Sequence, residues 1–371
     1  VRDVADLGTH GGQHGGCVGV RALLDSGQDG ESRPRDTKPR LSHRVREVGI
    51  RGHEGSLVSF LERVTSASGT ARSLVGPRSA HDMREDAVVM TPRQVPLPDP
   101  DLWVRSGAAE LAVSIDGTGT PLVGLHAGVC DRRSWRWCAS RWADAGFSTI
   151  SYDRRGFGQT RYEAGQYDAL DDLRAVTAAA GCRPAVVVGN SMGGAVAIDL
   201  ALAYPDEVLA LVLIGSLPRD APDEMWEQSA EETAVEAEFE AAERSGDDER
   251  VNEVEVRYWL DGPAQPEGRV TGAARELMLD MNRRAVDAPD PGQDADRPGA
   301  WDRLERISVP TLLLVGEYDE SGLAPLAQVM ATRMPSARLE RLDDTAHCPM
   351  LDAPDRLADT VLAFLERSGV T

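Results

Sequence analysis

Ala185-Val186-Val187-Val188-Gly189-Asn190-Ser191-Met192-Gly193-Gly194 is the stretch that decides how the rest of the chain is read. A short apolar run rich in β-branched residues stops at a glycine. A serine follows between small residues, and residues 195–204 then repeat apolar positions at helical spacing until Pro205. This is the pattern of a buried strand, a sharp turn and a helix. Residues 189–193 fit Gly-x-Ser-x-Gly. A serine at the apex of such a turn sits in strained backbone, and side chains beside it would collide with the neighbouring strand and helix. The turn aims the hydroxyl out of the sheet and leaves the Met192 amide free to bind an oxyanion. Taken alone, the pentapeptide fits equally an ordinary strand-to-helix turn that needs glycine.

Working outward, strands and helices alternate. Residues 111–115 alternate like a strand before the turn signal Asp116-Gly117-Thr118-Gly119, and residues 121–125 form a buried strand ending at His126-Ala127-Gly128-Val129. A helical stretch passes through Trp135 and Trp142. Residues 147–152 make the next strand, which runs into Asp153-Arg154-Arg155-Gly156-Phe157-Gly158, and a helix follows over about 168–180. After Ser191 come buried strands at 209–215 and 311–315, a last strand at 337–342, a loop at 343–350 and a closing helix at 354–367. The fold class read from this alternation is α/β, a mostly parallel, doubly wound sheet with a helical lid inserted. The core is expected at 91–220 and 299–371.

The lid is expected at 221–298, an acidic insertion with three helical patterns: Trp226, Ala230, Val235 and Phe239; then Val251, Val254 and Tyr258; then Ala274, Leu277, Met278 and Met281. These side chains read position by position as packing residues. As a unit, the insertion leaves the C-terminal edge of a parallel sheet, where a lid over an active site would grow. Residues 1–90 differ: they are rich in glycine, serine and arginine, and show little periodicity. Disorder is expected there, or an over-extended start ahead of Met83 or Met90. The cluster Thr9-His10-Gly11-Gly12-Gln13-His14 lacks surroundings that could hold its imidazoles on a metal.

The chain has 371 residues and a formal charge of −21. So acidic a surface argues against nucleic acid as partner, because it offers no basic field to phosphates. Nothing approaches the roughly 18 consecutive apolar residues of a membrane span, and no basic-then-apolar leader opens the chain, so a cytoplasmic location is expected. Five cysteines lack metal-ligand spacing and read as free thiols. No metal or cofactor is called for. A small-molecule substrate is expected, and the oligomeric state is left open.

A serine hydroxyl needs a base within reach, and the base needs an orienting acid. Beyond residue 90 the sequence holds two histidines, His126 and His347. His347 lies in the loop after the last strand, on the same sheet edge as Ser191; His126 precedes small residues whose backbone can approach a ligand. The acid should end the intervening strand. Asp319 does so, with Glu317 its nearest rival and Asp220 a lesser one, while Asp343 and Asp344 shape the histidine loop.

With these residues assembled, the chain from about Leu111 to its C-terminus resembles the α/β-hydrolase superfamily. The resemblance rests on five ordered motifs: residues 189–193, His126 to Gly128, Asp153-x-Arg155-Gly156-x-Gly158, Gly316-x-x-Asp319 and Asp344-x-Ala346-His347. It implies Ser191 as nucleophile, His347 as general base and then acid, and Asp319 as its orienting carboxylate. The amides of Met192 and Gly128 would form the oxyanion hole. Ala127 stands where the family usually has glycine, which leaves Val129 as a rival to Gly128. The segment 153–158 would make a tight turn with buried arginine contacts, and Cys130 and Cys348 would be small apolar fillers. The implied activity is cofactor-independent hydrolysis of a small carboxylic ester or lactone through an acyl-enzyme. A carbon–carbon bond hydrolase, a perhydrolase-type enzyme and a non-catalytic binding protein share the fold and remain alternatives. Serine in place of aspartate argues against epoxide-hydrolase and haloalkane-dehalogenase chemistry.

Overall fold

Strands that bury both faces must be apolar along most of their length, and the central strands here are. In the computed structural model, which describes residues 95–370, Val186 and Val188 enter one core while Val187, between them, enters the other. The expectations for residues 1–90 lie outside the described residues. Eleven strands are described: β1 (Leu102–Ser106), β2 (Ala109–Gly117), β3 (Thr120–Leu125), β4 (Phe147–Tyr152), β5 (Arg161–Tyr162), β6 (Gly165–Tyr167), β7 (Ala185–Asn190), β8 (Val208–Ile214), β9 (Gly292–Asp294), β10 (Thr311–Gly316) and β11 (Ala337–Leu342). The main sheet runs β1-β2-β4-β3-β7-β8-β10-β11, with β5 paired to β2. From β4 to β11 every pairing is parallel; β1, β2 and β5 add an antiparallel end.

Helices cover both faces. On one side α1 (Arg136–Asp144) contributes Cys138 and Trp142. On the other, α2 (Ala169–Ala179) contributes Leu173 and Val176, and α3 (Met192–Ala203) contributes Ile198. Each large aliphatic side chain so buried is worth about 1.5–3 kcal/mol. α3 is apolar almost all round, as a helix packed against the middle of the sheet must be.

The insertion holds α4 (Ala230–Ser245), α5 (Asp248–Val256), a π-helical turn (Arg257–Asp261) and α6 (Ala273–Asp287). The first of these starts later than the apolar spacing from Trp226 suggests, because a capping box sets its end. Ser229 Oγ accepts from the Glu232 amide at 3.1 Å, and Glu232 Oε2 accepts from the Ser229 amide at 2.9 Å. Nor is the insertion purely helical. Its last part, β9, pairs in parallel with β6 of the core. After it come α7 (Leu323–Arg333), α8 (Pro349–Asp352) and α9 (Pro354–Arg367); α7 brings Met330 to the second core, and α9 brings Leu357, Val361 and Phe364 to the first. Among the described residues no helix is long and apolar enough to cross a membrane.

Buried between α5 and α6 is Glu255, whose Oε2 accepts from Asn282 Nδ2 at 2.7 Å. Burial pushes its carboxyl up to about 8, against the Asn282 hydrogen bond and helped by Glu243. The folded protein therefore keeps a proton that the unfolded chain releases. The stability linked to it is full below the ordinary carboxyl range and falls as pH rises toward 8, by up to about 1.4 kcal/mol per pH unit. Glu255→Gln removes the titration and keeps the shape. In urea unfolding, its advantage over wild type should grow between about pH 5 and 8; an advantage that ignores pH would contradict this account.

Candidate active site

Ser191 is one of two described non-glycine residues with positive φ, at φ 53° and ψ −121°. Such a conformation costs about 1–3 kcal/mol and persists only when its surroundings hold it. Here the Ser191 amide donates to the Ile214 carbonyl at 2.9 Å, and the Ser191 carbonyl accepts from the Gly194 and Ala195 amides. The amides of Met192 and Gly193 open α3 ahead of any intrahelical acceptor, at the positive end of the helix dipole. Gly193 lies so close to the end of β3 that a Cβ there would sit 2.3 Å from the Leu125 carbonyl oxygen and 2.8 Å from that of His126. The serine turn and the His126–Gly128 loop are thereby brought side by side.

His347 and Asp319 arrive from the neighbouring strand ends. His347 Nδ1 donates to Asp319 Oδ1 at 2.8 Å, with both side chains 2% exposed. This fixes the tautomer that leaves Nε2 as the basic nitrogen. Asp319 Oδ1 also accepts from the Glu320 amide at 2.9 Å. The two loops are tied by Tyr318 N to Thr345 O at 2.8 Å and Glu317 N to Leu342 O at 2.9 Å. Asn190 binds this assembly to the serine turn, since its Nδ2 donates both to Ile214 O and to His347 O, each at 3.0 Å. Gly215 completes the seat: at φ +51°, a Cβ there would lie 2.9 Å from His347 Nδ1 and 3.0 Å from Asp319 Oδ2.

The competing acids sit elsewhere. Glu317 accepts from the Asp344 amide and pairs with Arg341. Asp220 accepts from the Gly299 and Trp301 amides. Asp344, at φ 55°, takes a hydrogen bond from the Tyr318 hydroxyl and shapes the histidine loop. His126 is fully buried, and burial followed by the Arg154 charge holds its imidazole well below the usual histidine range. Its ring is neutral: Nδ1 donates to Ala127 O, and Nε2 accepts from the Arg154 amide at 3.1 Å. Asp153 gathers the Arg132 amide, the Arg132 guanidinium and the Gln159 amide, while Arg155 forks onto Asp172. The segment thus braces the sheet edge. Cys348 is buried, and a contact from Cys130 together with burial pushes its thiol well above the ordinary range, so it carries no thiolate.

Several residues at this site carried no signal of their own in the sequence. Trp259, from the π-helical turn, places its ring 4.6 Å from the His347 ring. Tyr258 beside it reaches Glu320, the neighbour of Asp319, at 2.9 Å. The aromatic pair inside an acidic insertion was the one available hint. Asp319, Glu320 and His347 are also the one grouping of possible metal donors among the described residues, with atoms within 4.8 Å of one another. Asp319 Oδ1 and His347 Nδ1 are committed to each other there, so the grouping reads as an acid–base pair with a carboxyl behind it.

A family model described as the alpha/beta hydrolase family matches residues 122–360. Rhodomycin D methylesterase of Streptomyces sp. is 28% identical over 281 residues, covering 69% of this chain and 94% of that protein. The pimeloyl-(acyl-carrier protein) methyl ester esterase of Nitrosospira multiformis is 26% identical over 270 residues, covering 70% and 99%. Among solved structures, a thermophilic esterase from Thermogutta terrifontis superposes with TM-score 0.56 at 26% identity, covering 72% of this chain and 98% of that one.

Asn190→Ala removes two hydrogen bonds of about 1 kcal/mol each and leaves the buried His347 carbonyl short of a donor, while Ile214 O keeps Ser191 N and Ser216 Oγ. It should destabilise the fold by about 2–3 kcal/mol in urea unfolding; a loss below about 0.5 kcal/mol would show that the bridge between the two loops is idle.

Proposed function

Because this chain belongs to the alpha/beta hydrolase family, we propose that its hydrolysis runs through Ser191 as nucleophile, with His347 as base and Asp319 as orienting acid. The substrate is a small carboxylic ester or lactone. Ser191 Oγ attacks the acyl carbon while His347 Nε2 takes the hydroxyl proton, and Asp319 accepts the Nδ1–H and stabilises the imidazolium. The amides of Met192 and Gly128 hold the oxyanion, each worth about 3 kcal/mol to the transition state. Gly128 is favoured over Val129, which is buried. The carbon–oxygen bond then breaks, and the departing alcohol takes the proton from His347. Water repeats the sequence on the acyl-enzyme, releasing the acid and returning the proton to Ser191.

The observation that carries this reading is the buried 2.8 Å Asp319–His347 bond at the sheet edge where Ser191 takes its strained turn. Two relatives are named for cleaving methyl esters, which supports a small alcohol as leaving group. The net charge of −21 disfavours polyanionic substrates. Residues 221–298 serve as lid: Ser191 and His347 are both buried beneath the fold's surface, and Trp259 of the insertion lies against the imidazole. The four described cysteines are free, which supports work in the reducing cytoplasm.

A fluorophosphonate probe tests the nucleophile directly. Wild type should take the label and Ser191→Ala should not; an unlabelled wild type would favour a binding protein on the same fold. On a short acyl ester, Asp319→Ala should lower kcat by about 10⁴, and Glu317→Ala by less than about tenfold. Equal losses would return the acid assignment to Glu317.

A further inference from the structure

The loop that carries Asp319 holds a second buried carboxyl that the hydrolytic steps do not use. Glu320 is 4% exposed. The titratable groups facing it are Asp319 on its own loop, His347 on the histidine loop, Tyr258 on the π-helical turn, and Glu232 and Glu236 on α4. Tyr258 donates its hydroxyl proton to Glu320 Oε1 at 2.9 Å. Glu320 Oε2 and Asp319 Oδ2 are both buried without a hydrogen-bond partner. The next residue, Ser321, is held by Glu232, which accepts from its amide at 2.6 Å and from its hydroxyl at 3.0 Å. The insertion therefore grips two successive residues of the acid loop, and through Trp259 it also touches the imidazole that Asp319 orients.

Two adjacent carboxyls in so dry a place cannot both ionise. Asp319 has the donors that suit an anion, the His347 imidazole and the Glu320 amide. Burial first, and then the Asp319 charge, drive the Glu320 carboxyl well above the usual range, against the Tyr258 hydrogen bond. The proton stays on Glu320.

We propose that Tyr258 and Glu320 are positioning residues that make the alignment of Asp319 and His347 depend on the inserted helices. The phenol fixes the Glu320 side chain, and Glu320, whose amide donates to Asp319 Oδ1, fixes its neighbour. This rests on the reading of Ser191, His347 and Asp319 as a triad. The lid is then part of the alignment machinery as well as a cover. A displacement of about 1 Å in such a support can lower turnover by up to about 100-fold, so the loss of one tether should be visible in kcat.

The test compares Tyr258→Phe, Glu320→Leu and Glu320→Gln by fluorophosphonate labelling rate and by ester turnover against pH. Tyr258→Phe and Glu320→Leu should each lower kcat about tenfold at unchanged KM, and the double variant should be no worse than Glu320→Leu alone. Glu320→Gln, uncharged and able to take the Tyr258 hydrogen bond, should recover most of the loss and leave the acid limb of the pH profile where wild type has it. A labelled wild type whose Tyr258→Phe variant turns over at the full rate overturns this inference alone. So does a Glu320→Gln variant whose acid limb moves by a pH unit or more, because Glu320 would then have been ionised. A wild type that takes no label overturns the triad and this inference together. If Glu320→Leu does not fold, the single-atom changes in Tyr258→Phe and Glu320→Gln decide the matter.

Discussion

The close approach of Gly193 to the carbonyls of Leu125 and His126 is the constraint on which the rest of the site depends. A helix starting at Met192 can meet the end of β3 this tightly only if its first turn carries no side chain at that point. The contact sets the height of Ser191 above the sheet and places the small-residue loop after His126 beside it. His126 is locked in turn, a neutral ring holding the Arg154 amide at the end of β4. Three adjacent strand ends are thereby set relative to one another by backbone contacts and one imidazole.

A second junction joins this half to Asp319 and His347. The Ile214 carbonyl accepts from Ser191 N, Asn190 Nδ2 and Ser216 Oγ. In a dry interior such hydrogen bonds are strong electrostatically and expensive to leave unmade. They are what holds Ser191 in a conformation that its own backbone disfavours. The strain is local, and the support comes from the end of β8 and the histidine loop together.

How much of the fold and site is legible in the sequence depends on how each feature is encoded. Residues 147–152 and 337–342 match their strands end to end, the first through aromatic and β-branched residues in a buried strand and the second through the alternation of an edge strand. The parallel order and the inserted helices come from the spacing of such strands. By contrast, β1, β6 and β9 are short and owe their existence to a partner, as β9 does to β6 far upstream. The trio Ser191, Asp319 and His347 stands out because histidine is scarce and each residue lies just past the end of a strand. Asn190 does not, although it lies inside the Gly-x-Ser-x-Gly motif: its role depends on a carbonyl 157 positions away. Tyr258 and Glu320, 62 residues apart, meet only once the insertion has folded back over the sheet. Pattern reports the requirements of a residue's neighbours in sequence, and these contacts are set by neighbours in space.

The π-helical turn at Arg257–Asp261 also bears on how this insertion can change over generations. Such a turn winds one residue more than an α-helical turn does. Deleting a single residue within it would let the backbone relax into an ordinary α-helical turn and change the angular positions of the side chains inside it. Tyr258 and Trp259 would then lose their aim at Glu320 and His347. Within these five residues length itself sets the geometry, and the gain or loss of one residue there would alter the contacts to Glu320 and His347 without replacing either.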